Sequence, residues 1–196
     1  EITSTGSVQV IWTIGWFPPL NMYITGGALK KDSIKDPVYS SFDGLNWTPL
    51  EYGLPKLWSS VWIPELNKLV GSALNLGYDS ETSYMVSVEL LNGSTKPTFT
   101  FSQTEEFAVI GKTVWSPELG IILATDGKTS YKSKDGIDWT THSIGSLISV
   151  IGFHGDGDMI WSPILGFVVI GNRTVAISKD GVTWVTSGSV PNISGI

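Results

Sequence analysis

WSPILGFVVIG at residues 161–171, followed by SKDGVTW at 178–184, decides how this chain is read. The run from Gly166 to Gly171 is short, β-rich and bounded by turn residues, which is strand chemistry. Ser162-Pro163 marks a turn before it, a short connection near Asn172 follows it, and Asp180-Gly181 supplies a hairpin turn further on. Strands are therefore expected at about 157–161, 166–171, 173–178 and 182–187, four in one unit.

The same wording recurs along the chain. WFPPLNMYI starts at Trp16, WIPELNKLV at Trp62 and WSPELGIIL at Trp115, and with the Trp161 copy all four fit W-x-P-x-L-x-x-x-[VIL] at spacings of 46, 53 and 46 residues. A second motif follows in step three times, as SFDGLNW at 41–47, SKDGIDW at 133–139 and SKDGVTW at 178–184. Asp43, Asp135 and Asp180 can each accept backbone N–H groups within their own turn. The glycine that follows can take positive φ, and Trp47, Trp139 or Trp184 can cover the hairpin. The second unit lacks this motif. It carries an Asn-Gly hairpin signal at 92–93 with Phe99 and Phe101 nearby, so a longer, altered third hairpin is expected there.

No segment sustains a 3.6-residue apolar period, so helix content should be near zero. Four four-stranded units at this period give an all-β fold, a β-propeller in one domain over 1–196, with blades at approximately 8–52, 57–105, 112–143 and 157–188. Ring closure within the chain, as four blades, is the expectation. The alternative is an arc of a larger ring completed by more sequence or by another subunit.

The two motifs in register resemble the Asp-box (bacterial neuraminidase) repeat of β-propellers, with the glycine placed directly after the aspartate, one residue earlier than in the family's form. The resemblance covers about residues 8–188. It implies a propeller fold and a wide choice of functions, among them sialidases, sorting receptors, lectins, and phage or large-virus structural proteins. The wording of the repeats looks most like the viral group. A sialidase site resembling the family's would need three arginines, and Arg173 is the only arginine in the chain.

Composition narrows the field. Twelve basic residues against eighteen acidic ones give a net charge of −6, and no basic cluster is present to track phosphates, so a nucleic-acid partner is not expected. Without cysteine there is no disulfide and no thiolate nucleophile or ligand. Residues 2–29 are uncharged, but Gln9, Asn21 and Pro18-Pro19 interrupt any apolar helix, so no membrane insertion is expected. Sequons at Asn46, Asn92, Asn172 and Asn192 are acceptor sites only on a eukaryotic secretory route. The chain begins at Glu1 rather than Met, the mark of processing or of a piece of something longer.

Candidate chemistry is sparse. His142 and His154 are the only imidazoles, and neither stands beside a nucleophile elbow. HGDGD at 154–158 brings His154, Asp156 and Asp158 together, a conceivable oxygen-rich cation site read here as a polar rim connection. The Gly-Lys-Thr triplets at 111–113 and 127–129 lack a P-loop's first glycine, since Glu106 and Ile122 hold those positions. Trp16, Trp62, Trp115 and Trp161 occupy one repeat position, and Trp47, Trp139 and Trp184 another, so packing accounts for seven of the nine tryptophans. Trp12 and Trp58 differ. Each precedes its repeat tryptophan by four residues, where later units have Gly111 and Gly157, and on a regular strand that spacing returns to the same face. They either fill a narrow channel or form a lopsided ligand cleft.

The expectation is a non-enzymatic binding or assembly module, on a virion or extracellular, contacting other structural proteins or itself, with no cofactor, metal or catalytic residue assigned. A glycan-binding lectin using Trp12, Trp58, His154, Asp156 and Asp158 is the second reading. A non-sialidase glycoside hydrolase, which needs two carboxyl groups about 5–9.5 Å apart, is the third.

Overall fold

The computed structural model describes residues 10–28, 38–50, 56–74, 83–90, 97–107, 111–144, 157–171 and 174–189. The chain divides into two compact units, Glu1–Ala108 and Val109–Ile196. In the first unit, β1 (Val10–Phe17), β2 (Met22–Ala28), β3 (Val38–Ser41) and β4 (Thr48–Leu50) form one sheet, and β5 (Lys56–Ile63), β6 (Lys68–Leu74), β7 (Ser83–Glu89) and β8 (Thr98–Phe107) a second. In the second unit, β9 (Lys112–Ser116), β10 (Ile121–Thr125), β11 (Thr129–Ser133) and β12 (Thr140–Ser143) form the third sheet. The fourth is β13 (Asp158–Ser162), β14 (Gly166–Gly171), β15 (Thr174–Ser178) and β16 (Val185–Ser189). Every sheet is an antiparallel meander in chain order. Among the described residues the only helical pieces are two three-residue 3-10 turns, Pro18–Leu20 and Pro64–Leu66, so none is long and apolar enough to cross a membrane.

The W-x-P-x-L motif makes the first hairpin of every sheet, and its sixth residue explains why. Asn21, Asn67, Gly120 and Gly166 all have positive φ, at 50°, 53°, 61° and 89°. Asparagine and glycine are the residues that tolerate this left-handed backbone. In the first two sheets the N–H of Asn21 or Asn67 bonds the carbonyl of Pro18 or Pro64, closing the 3-10 turn. In the last two a serine does related work: the Ser116 hydroxyl accepts the N–H of Leu119 at 3.2 Å, and that of Ser162 the N–H of Leu165 at 3.1 Å. Where serine stands in those sheets, the first two have Phe17 and Ile63, both fully buried.

Each unit has its own core between its two sheets. In the first, Phe17, Met22, Ile24 and Val38 of the first sheet pack with Leu57, Leu69, Ala73, Val86 and Val88 of the second, and Trp62 meets Phe17 edge-on at 5.5 Å. In the second, Leu123 and Ile144 pack with Met159, Phe167, Val169, Ala176 and Trp184, joined by Val114 and Trp161. The pattern is the same in both. The sheet that comes second in the unit offers the face bearing its repeat tryptophan, and its predecessor offers the opposite face, the one without the tryptophan.

The fourth sheet begins its last strand at Val185, three residues later than expected from sequence. Asp180 holds the N–H groups of Val182 and Thr183, and the strand ladder cannot start until they are released. The altered hairpin of the second sheet joins the long strands β7 and β8. Its Asn92-Gly93 signal lies outside the described residues.

The shared left-handed position yields a clean test, because a Cβ at Gly120 would meet nothing within 4 Å. Gly120→Val should cost about 1–2 kcal/mol from backbone strain alone, while Gly120→Asn should lie within about 0.5 kcal/mol of the parent. Urea midpoints of the two variants check this.

Candidate functional site

In a four-stranded meander the first and third hairpins emerge at the same end, so both motifs of a sheet lie together. In the fourth sheet they touch: the Lys179 ammonium donates to the carbonyl of Ile164. In the first sheet Trp16 packs on Tyr23 at 4.6 Å between ring centroids, and Tyr23 faces Trp47 at 6.5 Å.

The S-x-D-G turn is a small hydrogen-bonded device repeated three times. In the fourth sheet Asp180 Oδ1 accepts from the Ser178 hydroxyl at 3.0 Å, the Val182 N–H at 2.8 Å and the Thr183 N–H at 2.7 Å, while the Gly181 N–H reaches Ser178 Oγ at 2.8 Å. Ser133, Asp135, Gly136, Ile137 and Asp138 reproduce these bonds in the third sheet, as do Ser41, Asp43, Gly44, Leu45 and Asn46 in the first. Gly181 is constrained twice, by φ +75° and by Leu123 of the neighbouring sheet, whose Cδ1 would lie 2.7 Å from an added Cβ. The Trp47 indole N–H bonds the Gly44 carbonyl at 3.2 Å, whereas those of Trp139 and Trp184 are buried with no acceptor among the described residues.

The aspartates are acceptors, not acids. Asp43 is held well below the usual carboxylate range by the N–H of Asn46, then by the Asn46 side-chain amide and the N–H of Leu45. At Asp135 and Asp180 partial burial opposes ionisation as the largest single influence, and the turn N–H groups and the serine hydroxyl together outweigh it. Asp135 and Asp138 share a wall of one depression, yet Asp135 Oδ1 already serves three donors and stays ionised, which unsuits it as a general acid.

Gly-Lys-Thr at 127–129 is also a turn, between antiparallel β10 and β11. The anion held by its backbone is the chain's own: Asp126 Oδ1 accepts the N–H groups of Lys128 and Thr129, both at 2.7 Å, and Oδ2 accepts the Tyr131 hydroxyl at 2.9 Å. Burial and the Asp126 charge push the Tyr131 phenol upward.

Two equivalent depressions lie against the S-x-D-G turns of the second unit. One, of about 370 Å³, is lined by Ile121, Lys132, Lys134, Asp135, Asp138 and Thr140. The other, of about 380 Å³, is lined by Ile177, Lys179, Asp180, Thr183 and Val185. Three large apolar side chains at variable motif positions are strongly exposed: Ile164 at 80%, Leu45 at 72% and Phe42 at 71%. Leu119, Leu165 and Ile137 are exposed at the same ends. Sequence reasoning missed these exposed apolar side chains; Phe42, Leu45, Ile137 and Ile164 stand at x positions of the two motifs, whereas Leu119 and Leu165 are the leucine that defines the first.

Of the residues proposed from sequence as a ligand site, Trp58 and Asp158 are those whose side chains the structure describes. Trp12 and Trp58 are each the unpaired residue of a β-bulge, between Ile11 and Thr13 and between Leu57 and Ser59. A bulge breaks strict alternation, so the four-residue spacing from Trp58 to Trp62 does not return to the same face. Trp58 is half-buried. Gly111 and Gly157, their counterparts, lie just before β9 and β13 rather than within them. Asp158 is exposed at the start of β13, where it accepts the N–H of Met159 at 2.9 Å and stands 3.7 Å from the Lys112 ammonium. His154 and Asp156 lie outside the described residues, as does Arg173.

The turn aspartates make acid sensitivity predictable in sign. Their folded-state values are depressed, so their contribution is present above the unfolded value near 3.8 and is lost as pH falls through the folded one. Asp135→Asn/Asp180→Asn should lower stability at pH 7 by about 1–2 kcal/mol for each turn, the low end for bonds to a charged acceptor. The gap to the parent should shrink below pH 4, as chemical denaturation at pH 7 and pH 3 would show.

Compared with known proteins, the chain matches no family model and no curated relative.

Proposed function

We propose that the four sheets are successive blades of a β-propeller of the Asp-box type, and that this propeller is a non-enzymatic module for binding and assembly, in a virion or outside the cell. Support for the propeller comes from the four meander sheets, the repeat of both motifs at one end of a sheet, and the pairing of a tryptophan-bearing face with its predecessor's opposite face in each unit. Four blades make the smallest ring of this kind, or half of an eight-membered one.

The observation that carries the functional reading is the fringe of exposed aliphatic and aromatic side chains on the motif turns, above all Phe42, Leu45 and Ile164. Large apolar side chains on rigid turns cost solubility unless a partner covers them, and protein partners do so best. The turns are tied down by serine and aspartate hydrogen bonds, so little ordering entropy is lost on docking. Among the described residues the carboxylates of the S-x-D-G turns are committed to their own backbone and serine donors.

A photo-crosslinking amino acid placed at Phe42 or Ile164 should capture protein in the native particle or medium of the chain, and the same chain should bind no glycan in a broad screen at millimolar sugar. Glycan binding without protein cross-links would replace this reading with the lectin.

A further inference from the structure

The two depressions beside the S-x-D-G turns of the second unit are alike in size and unlike in charge. They are framed by equivalent positions: Lys132, Asp138 and Thr140 of the third sheet stand where the fourth has Ile177, Thr183 and Val185. In the fourth sheet the charged groups are already engaged, since the Lys179 ammonium donates to the Ile164 carbonyl and Asp180 holds its own turn. In the third, Lys132, Lys134 and Asp138 surround about 370 Å³, and among the described residues their charged ends make no hydrogen bond or ion pair.

The third-sheet depression is built within that one sheet. Lys132 pairs in register with Leu123 on one side and Thr140 on the other, and Ile121 stands two residues from Leu123. Ile121, Lys132 and Thr140 therefore share the face that Leu123 turns to the core of its own unit. Ile121 packs half-buried against that core and gives the depression an apolar wall. The Thr140 hydroxyl donates to the Lys132 carbonyl at 3.3 Å and ties the edge strand β12 to β11. Asp135 is the fourth charged residue there, and its Oδ1 closes the turn from which Lys134 and Asp138 project into solvent. Lys132 is half-buried.

Two unengaged ammonium groups, one unengaged carboxylate and an aliphatic wall in so small a space suit a ligand that brings a carboxylate, an N–H donor and an apolar side chain together. The last residue of a polypeptide supplies all three. We infer that this depression seats the aliphatic C-terminal residue of a partner protein, with its α-carboxylate between Lys132 and Lys134, its N–H toward Asp138 and its side chain on Ile121. A volume of about 370 Å³ is near the lower end for ligand sites and suits a chain end rather than a long segment passing through. The apolar, charge-engaged counterpart in the fourth sheet lacks the means to hold a carboxylate. This inference rests on the reading of the chain as a protein-binding module and names the chemistry of one partner.

N-acetyl-alanyl-leucine titrated into the isotope-labelled full chain should shift the amide resonances of Lys132, Lys134 and Asp138 saturably, and the same peptide ending in an amide should not. Lys132→Met/Lys134→Ala should weaken binding about tenfold, the loss expected for two partly exposed ion pairs, while Lys179→Ala should leave it unchanged. Equal binding of the amide, or of a peptide with blocked ends and an internal glutamate, overturns the inference. Binding of glucuronate in place of the peptide also overturns it and favours the lectin. If no peptide binds while cross-links at Phe42 or Ile164 still capture protein, this inference falls and the protein-binding reading stands; if the cross-links are absent too, both fall.

Discussion

The left-handed backbone at Asn21, Asn67, Gly120 and Gly166 is the constraint on which the rest of the molecule depends. It lets the chain reverse within a few residues of each repeat tryptophan and so fixes the register of the first two strands of every sheet. Register in a strand has a period of two, and a slip of one residue would exchange both faces. With the register fixed, Trp62 and Trp161 turn toward the cores of their units and Ile160 and Val185 turn away. Proline three positions earlier and leucine just before support the same reversal, and this is why the motif is spelled alike four times while its neighbours vary.

The second turn does the same for the third and fourth strands by different means. An aspartate oxygen gathers N–H groups that no strand can pair, and a serine hydroxyl gathers another, so a tight reversal exposes no orphaned donor. The second sheet dispenses with this device and has the longer strands: β7 and β8 run seven and ten residues, against five and five for β15 and β16. Phe99 of β8 packs against the core of its unit.

Much of the local architecture was legible in the residues. The four strands of the last unit, the Ser162-Pro163 reversal and the Asp180-Gly181 hairpin follow from turn chemistry, which acts over a few residues and so is written in a few residues. The bulges at Trp12 and Trp58 were not legible, because a bulge depends on how one strand lies against its neighbour and against the next sheet. A period-two reading assumes that no such residue exists, and here that assumption put Trp58 and Trp62 on one face. The late start of β16 was missed for a related reason: Val182 and Thr183 look like strand residues, but their N–H groups are already spent on Asp180.

The candidate site was harder to see because the eye goes to residues that repeat, and in this chain repetition marks structure. Ser, Asp and Gly of the second motif recur because the turn consumes their hydrogen-bonding capacity, and a carboxylate so consumed has little left for a ligand. The positions free to act are the ones that change: Phe42, Lys134 and Lys179 at one place, Leu45, Ile137 and Val182 at another, and Pro19, Glu65, Glu118 and Ile164 in the first motif. The scaffold holds each of these on a rigid turn at the same end of its sheet. Variation there alters what the surface can hold without disturbing register, and Glu118 shows how far such a residue can reach, since it accepts the indole N–H of Trp161 from the neighbouring sheet at 2.5 Å.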